Sequence, residues 1–518
     1  MKSFRGIIIG FITSFYLIFV CSLIITFVHF CNEFWAVLSI FLLVLTVEIS
    51  TAVVLFNNDR KLEIKLCWLM VVITLPLLGT LIFIWFGLRP FNVKRWREYV
   101  NEYKNYMKFE NYAYTNSFLK TDHKLNSLFA YNYSVSRSPV YLNNSIRVID
   151  DNIDFLKEVI NLIRSARKLI VLETYILKNS YVTRIVITEL LKKKKEGVEI
   201  FVLYDWVFGR RLKKYFVKAM VNSGINVGVF NWPGFNIYKS TTNYRLHTKA
   251  LIIDNQKAIF GGSNYSDEYI MMNKKCNNFR DLNFIVSGEI CNSLLVNFFN
   301  SWTLFTKKYN KISKAEWINI FSKLHKKMNI HKDNNKVLMQ LTQSRPDLKE
   351  KTIEQTIISL ILKAKRSIYI AIPYLCPSKK IVDALNYMSL SNVDVKIITP
   401  GLRESKKILL NINRSHYQDL IEGKCKIYEY NGFIHSKYII VDDDISYIGS
   451  SNIDYRSLWI NFETLILIND KTCNKTIKNI FSNDLLNSKE ITTHNLINIF
   501  AKKDKFINFF LKLIYPLI

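Results

Sequence analysis

The 518-residue chain lacks any closely spaced cysteine pair: its eight cysteines, at 21, 31, 67, 276, 291, 376, 425 and 473, form no CxxC. Neither a zinc ribbon nor a thioredoxin-type centre is expected, and the thiols read as free groups in a reducing compartment. Acidic residues are scarce as well, 42 Asp and Glu against 71 Lys and Arg, for a formal net charge of +29. Such an excess suits an anionic partner, either nucleic acid or an acidic membrane surface, without choosing between them. No small-residue cleavage site follows the first apolar run, so a removed signal peptide is not expected.

What the N-terminus does have is apolar length. Residues 6–30 and 34–56 are each long enough to span a bilayer, and a third run, 66–88, carries Pro76 and Gly79 near its middle. Arg60, Lys61 and Lys65 follow the second run; Arg89, Lys94, Arg95 and Arg97 follow the third. Positive-inside logic puts both basic stretches in the cytoplasm. Two full crossings satisfy this if the third run is re-entrant or interfacial, broken at Pro76–Gly79. The expectation is a multi-pass protein of the cell membrane, anchored through residues 1–94, with the rest of the chain cytoplasmic. Residues 95–137 read as a polar helical connector, and the apolar tail 506–518 lies on the bilayer or docks onto the core.

Beyond the membrane region the chain repeats itself. "HTKALIIDNQKAIFGGSN" (247–264) and "HSKYIIVDDDISYIGSSN" (435–452) share one layout: His, Lys two on, an apolar run, Asp five after the Lys, then a small-residue loop ending in Asn. "LIRSARKLIVLETY" (162–175) resembles "LILKAKRSIYIAIPY" (360–374), and "GVEIFVLYD" (197–205) resembles "NVDVKIITP" (392–400). The copies are too far apart for a solenoid repeat. They fit an α/β fold of two pseudo-symmetric half-domains, 138–309 and 351–518, each with a central mixed β-sheet flanked by helices and joined by a Lys- and Asn-rich link, 310–350.

The HxK strand carries the chemistry. Period-two alternation puts His247 with Lys249, and His435 with Lys437, on one face of their strands. A lysine on an inner strand face needs a negative partner, and nothing within the motifs supplies one. If a pseudo-twofold brings the copies together, two imidazoles, two ammonium groups and the amides of Asn264 and Asn452 line one pocket. A phosphate fits it: lysines stabilise charge on non-bridging oxygens, one His can attack phosphorus, and the other can protonate the leaving oxygen. Neither metal nor other cofactor is needed. Asp254 and Asp442 lie an odd number of residues from their lysines, so alternation turns them away; they read as anchors of the following turn.

HxKxxxxD followed by GxxN, twice, resembles the signature of the phospholipase D superfamily. "GGSNYSDEY" (261–269), "FRDLNFIVSG" (279–288) and "GSSNIDYRSLWINFE" (449–463) are similar to bacterial cardiolipin synthases. The resemblance implies a membrane-bound phosphatidyltransferase that joins two phosphatidylglycerols into cardiolipin and releases glycerol, through a phosphatidyl-histidine. It implies His247, Lys249 and Asp254 with His435, Lys437 and Asp442 as the catalytic motifs, His247 as nucleophile and His435 as acid/base. The symmetry of the motifs alone does not choose between the two. Asp281 and Glu463 stand where the superfamily places carboxylate partners of the histidines, or else form surface ion pairs. Arg245, two before His247, binds phosphate or is structural. The implied partners are phosphatidylglycerol, cardiolipin and an anionic membrane, with no nucleic acid. Phospholipid hydrolysis, transfer to another alcohol, or a nuclease activity are the alternatives. In the first GxxN loop, GGSN stands against GSSN, which suggests a hydroxyl missing beside one phosphate oxygen.

Overall fold

The computed structural model describes residues 33–56, 62–75, 77–84, 110, 112–120, 125–209, 212–231, 244–272, 278–305, 314–327, 333, 335–346, 351–401 and 407–494. The first apolar run (6–30) and the C-terminal tail (506–518) lie outside these residues. The described chain falls into two compact units, one N-terminal and one holding the repeats.

In the N-terminal unit the second apolar run is a helix, Glu33–Phe56. Its stretch Val37–Leu55 is 19 residues long and apolar enough to cross a membrane. At 1.5 Å per residue it reaches about 28 Å, close to the thickness of a bilayer core. Phe34, Val37, Phe41, Ile49 and Val53 are all exposed, so the helix is apolar around much of its girth. The third run is broken in two, Leu62–Thr74 and Leu78–Ile82. Pro76, at the join, lies outside the described residues, but a proline has no N–H to give to a continuing helix. Leu77 takes a positive φ of 59°. Gly79 lets the short helix close on the preceding one, since a Cβ there would sit 2.1 Å from the Val71 carbonyl oxygen.

Among the described residues the second unit contains two large sheets and one two-stranded pair, Phe279–Arg280 with Phe433–Ile434. The first runs Asn144–Ile149, Asn283–Gly288, Lys257–Gly261, Ala250–Ile253, Leu169–Thr174, Glu199–Asp205, Asn226–Phe230. The second places Leu338–Ser344, Glu463–Asn469, Ile445–Gly449, Tyr438–Val441, Ser367–Ala371, Asp394–Pro400 and Lys426–Tyr430 in the same order, with Val140–Tyr141 and Ser488–Ile491 added at its edges. In each, the three strands joined through helices are parallel and the rest antiparallel. The parallel strands need helical crossovers, and the sequence signals them: Ser180 caps Tyr181–Lys195 through the Thr183 N–H, and four lysines close that helix where its dipole favours cations.

One face of each sheet meets a shared core. Val171, Ile252 and Phe284 of the first sheet and Ile440, Ile448 and Ile466 of the second pack with Phe298, Phe299 and Trp302 of the helix Ile290–Phe305. Strands such as "ALII" and "YIIV" are apolar on both faces because both are covered.

One detail differs from the expectations of the sequence. Leu338–Ser344, inside the stretch read as a link, is the second sheet's counterpart of Asn144–Ile149; its alternating Gln and Thr hide the strand pattern among Lys- and Asn-rich flanks. In addition, Glu173 pairs with Ala250 while Ala371 pairs with Tyr438. Tyr175 therefore corresponds to Pro373, the register in which the stretches 162–175 and 360–374 align from their first residues.

Candidate active site

Two short parallel bridges between the halves build the site. Leu246 pairs with Phe462; the His247 N–H donates to the Phe462 carbonyl at 2.9 Å and the Phe462 N–H to the Arg245 carbonyl at 2.8 Å. The mate of this bridge joins Phe433–Ile434 to Phe279–Arg280, with the His435 N–H donating to the Arg280 carbonyl at 2.6 Å. The residues that follow Phe462 and Arg280 are Glu463 and Asp281. Each carboxylate is thereby delivered to the histidine of the opposite half. His247 Nδ1 lies 2.8 Å from Glu463 Oε1, and His435 Nδ1 lies 2.7 Å from Asp281 Oδ2. Both carboxylates are buried, so neither forms a surface ion pair.

Each carboxylate is held by further donors. Glu463 accepts from Ser450 Oγ at 2.6 Å and from Asn461 Nδ2 at 3.1 Å; Asp281 accepts from the Leu282 N–H at 2.8 Å and Ser263 Oγ at 3.1 Å. Burial works against both charges, but the paired histidines, the lysines and these hydrogen bonds outweigh it and hold both groups below the usual carboxylate range. Burial drives His247 down to about 4, with Lys249 adding to the drop against the pull of Glu463. Burial and then Lys437 take His435 to about 3, against Asp281. Both rings are thus neutral near pH 7. A ring that gives its Nδ1 proton to a carboxylate presents an unprotonated Nε2.

Lys249 and Lys437 are nearly inaccessible, at 3% and 2% exposure. Burial lowers them to about 7 and about 8. Each donates to the carbonyl of its own histidine at 2.5 Å, and Lys437 Nζ also stands 3.2 Å from His435 Nε2. Among the described residues neither ammonium has a carboxylate at ion-pair distance. Two such groups in one buried pocket favour an anion between them. Aromatic rings enclose it: Tyr175 packs edge-on against His247 at 4.9 Å, and Tyr269 and Phe279 each lie 5.4 Å from His435.

The other predicted residues divide. Asn264 is occupied by bracing, its Oδ1 accepting from the Ile176 N–H at 3.0 Å and its Nδ2 donating to the Tyr269 hydroxyl at 2.6 Å. Asn452 is buried, with Oδ1 unpartnered. Arg245 is buried 3.9 Å from Asp205. Asp254 and Asp442 belong to the motif but stand outside the pocket. Asp254 accepts from the N–H groups of Arg167, Lys168 and Leu169, and Asp442 from those of Lys365, Arg366 and Ser367. They pin the start of the neighbouring strand at a turn whose φ is positive (53° and 54°), which aspartate tolerates better than most residues. Asp254→Ala is expected to lower stability by about 1–3 kcal/mol, from lost acceptors and backbone strain. A melting-temperature drop with turnover per folded molecule retained is the check.

The residues missed by sequence reasoning are the donors around the carboxylates. The Gly262/Ser450 difference is not a hydroxyl lost from a phosphate site. Ser450 serves Glu463, whereas a Cβ on Gly262 would lie 2.2 Å from Asp281 Oδ1. The pairs Gly262/Asp281 and Ser450/Glu463 are two different ways of holding a carboxylate against one histidine. The signal is present in the two GxxN loops, but reading it needs the carboxylate's position.

Comparison with known proteins places this geometry. The family model described as "Cardiolipin synthase, PLD-like domain" matches residues 159–302 and 357–485, one match per half and together more than half the chain. The chain is similar to a cardiolipin synthase of Clostridium perfringens, 31% identical across 84% of this chain and 90% of that protein. It is also similar to the major cardiolipin synthase of Bacillus subtilis, 30% identical across 85% and 91%. Among solved structures, phosphatidylserine synthase of Haemophilus influenzae shares the fold, with a TM-score of 0.59 at 14% identity over 76% of this chain and 100% of that one.

Proposed function

Because the chain belongs to the cardiolipin synthase family of the phospholipase D superfamily, and is thus an enzyme of phosphatidyl transfer in cardiolipin synthesis, we propose that it joins two phosphatidylglycerols with release of glycerol. In this reading Nε2 of His247 attacks the phosphorus of the first lipid. The P–O bond to the headgroup glycerol breaks, and His435 protonates the departing oxygen. His435 then takes the proton of the second lipid's hydroxyl, which attacks the phosphatidyl-histidine, forms the new P–O bond and frees His247.

The observation that carries the reading is the crossed pairing of His247 with Glu463 and His435 with Asp281 around two buried lysines. Each carboxylate supports the imidazolium that its ring becomes in turn. The negative phosphodiester between the rings opposes the burial that keeps them neutral and so favours protonation of the acid. Lys249 and Lys437 offset charge on the non-bridging oxygens. The enclosed, aromatic-lined site keeps water from the covalent intermediate.

We place the enzyme in the cell membrane, with the helix containing Val37–Leu55 as an anchor and the repeats on the cytoplasmic side, which the basic residues Arg60, Lys61 and Lys65 support. The matching domain reading is a membrane region over 1–94, then two halves, with Leu338–Ser344 counted in the second. Purified protein given phosphatidylglycerol vesicles is expected to yield cardiolipin and glycerol in equal amounts. Phosphatidic acid as the main product would replace transfer by hydrolysis.

A further inference from the structure

The strand faces that turn away from the pocket differ between the two halves. Between His247 and Lys249 lies Thr248, and between His435 and Lys437 lies Ser436. Alternation points both side chains behind their strands, away from the histidine and lysine, and both are buried. The carboxylates have matching neighbours too. Gly261 pairs with Asn283, and Gly449 with Leu465. Leu282, which follows Asp281, therefore corresponds to Thr464, which follows Glu463.

Behind His247 the hydroxyls meet. Thr248 Oγ1 lies 3.0 Å from Thr464 Oγ1. Thr464 Oγ1 accepts from Asn297 Nδ2 at 3.2 Å, and Asn297 belongs to the core helix Ile290–Phe305. Thr248 Oγ1 also stands 3.5 Å from the Phe462 carbonyl, the acceptor of the His247 N–H. Thr248, Thr464 and Asn297 are all buried, where polar groups that lose a partner are costly, so the chain of bonds favours one arrangement. Behind His435 the arrangement is different. Ser436 Oγ has no hydrogen-bond partner among the described residues, and the apolar side chain of Leu282 can supply none. The 2.8 Å contact of His247 with Glu463 thus has a second support, one residue further along each strand, that the His435–Asp281 contact lacks.

We propose that Thr248, Thr464 and Asn297 are positioning residues for the His247–Glu463 pair. They form a clasp that ties the HxK strand of the first half to the carboxylate strand of the second. They touch neither the lipid nor the reacting atoms, and they act through His247. An attacking nitrogen has to stand in line with the bond it breaks, and a displacement of about 1 Å costs up to about 100-fold in rate. A clasp one residue behind the ring limits that displacement. The inference rests on the two-histidine reading of the site, not on which histidine attacks.

The test uses full-length protein in vesicles and a labelled phosphodiester lipid whose headgroup is nitrophenol. The nitrophenolate burst reads formation of the phosphatidyl-enzyme, and decay of the protein-bound label reads its return. Thr248→Val removes the hydroxyl at nearly constant size, while Thr248→Ser keeps it. Thr248→Val is expected to slow the burst about tenfold, with the half-saturating lipid concentration unchanged, and Thr248→Ser to recover most of that rate. Ser436→Ala is expected to alter neither step, because its hydroxyl has no bond to lose. A Thr248→Val burst equal to that of the unmodified protein overturns the clasp. So does an equal slowing of both steps in a folded variant, an equal loss in Thr248→Ser, or an equal loss in Ser436→Ala. Should Thr248→Val fail to fold, Thr464→Val breaks the same contact from the other half and is read in the same way. If His247→Ala keeps the burst, the roles of the histidines are exchanged and the clasp predicts the tenfold loss in the decay of the label instead. If His247→Ala keeps full turnover, it is the two-histidine reading that fails.

Discussion

His247→Ala and His435→Ala are both expected to abolish cardiolipin formation, but at different chemical steps. Losing the nucleophile removes the covalent route itself. Losing the acid leaves the attack possible but leaves glycerol, a poor leaving group, without a proton, at a cost of about 10²–10⁴ in rate. A phosphodiester lipid with a nitrophenol headgroup separates the two, because nitrophenolate departs without protonation. With His435→Ala, about one equivalent of nitrophenolate per enzyme is expected in a burst that then stalls, with phosphatidyl label retained on the protein after alkaline quench. With His247→Ala neither burst nor label is expected. The opposite pattern would exchange the roles of the two histidines. Substantial cardiolipin synthesis by either variant would remove the two-histidine mechanism.

The second large effect concerns the carboxylates, and it is crossed. Glu463→Gln keeps the size of the side chain and the acceptor for Ser450 or Asn461. It also offers an amide N–H to His247 Nδ1, which favours the tautomer with the proton on Nε2, the atom that must attack. By analogy with the triad aspartate, turnover is expected to fall by about 10³–10⁴. Although Glu463 lies in the second half, the step that slows is that of His247: the nitrophenolate burst itself is expected to lose rate. Asp281→Asn should leave that burst and slow the return of His435 for the second transfer. Rapid-quench measurement of burst and steady state in the two variants decides the matter. A burst defect in Asp281→Asn equal to that of Glu463→Gln would contradict the crossed wiring seen in the 2.8 Å and 2.7 Å contacts.

Much of this site is legible in the amino-acid sequence. The two HxKxxxxD copies stand out because strand periodicity makes a repeated His and Lys share a face, and because the odd spacing of Asp254 and Asp442 turns them elsewhere. The succession of helices and strands along each half follows from alternating helical and apolar segments, whereas the order of the strands across each sheet does not. Register is harder. Apolar strands look alike when shifted by one residue, and only the ladder pairings of Glu173 with Ala250 and of Ala371 with Tyr438 fix it. Leu338–Ser344 is hidden for a similar reason, being half polar yet wholly buried.

By itself the sequence determined the inventory: which groups are present, that they occur twice, and which side of its own strand each faces. These are consequences of local backbone geometry, which repeats every two residues and needs no partner. The tertiary structure alone decided who serves whom. Glu463 reaches His247 and Asp281 reaches His435 because short backbone bridges cross between halves. Such bridges are made by peptide N–H and C=O groups that nearly every residue carries, so they leave no mark in the side-chain pattern. The burial that keeps the imidazoles neutral is likewise a property of the assembled core, not of any one segment.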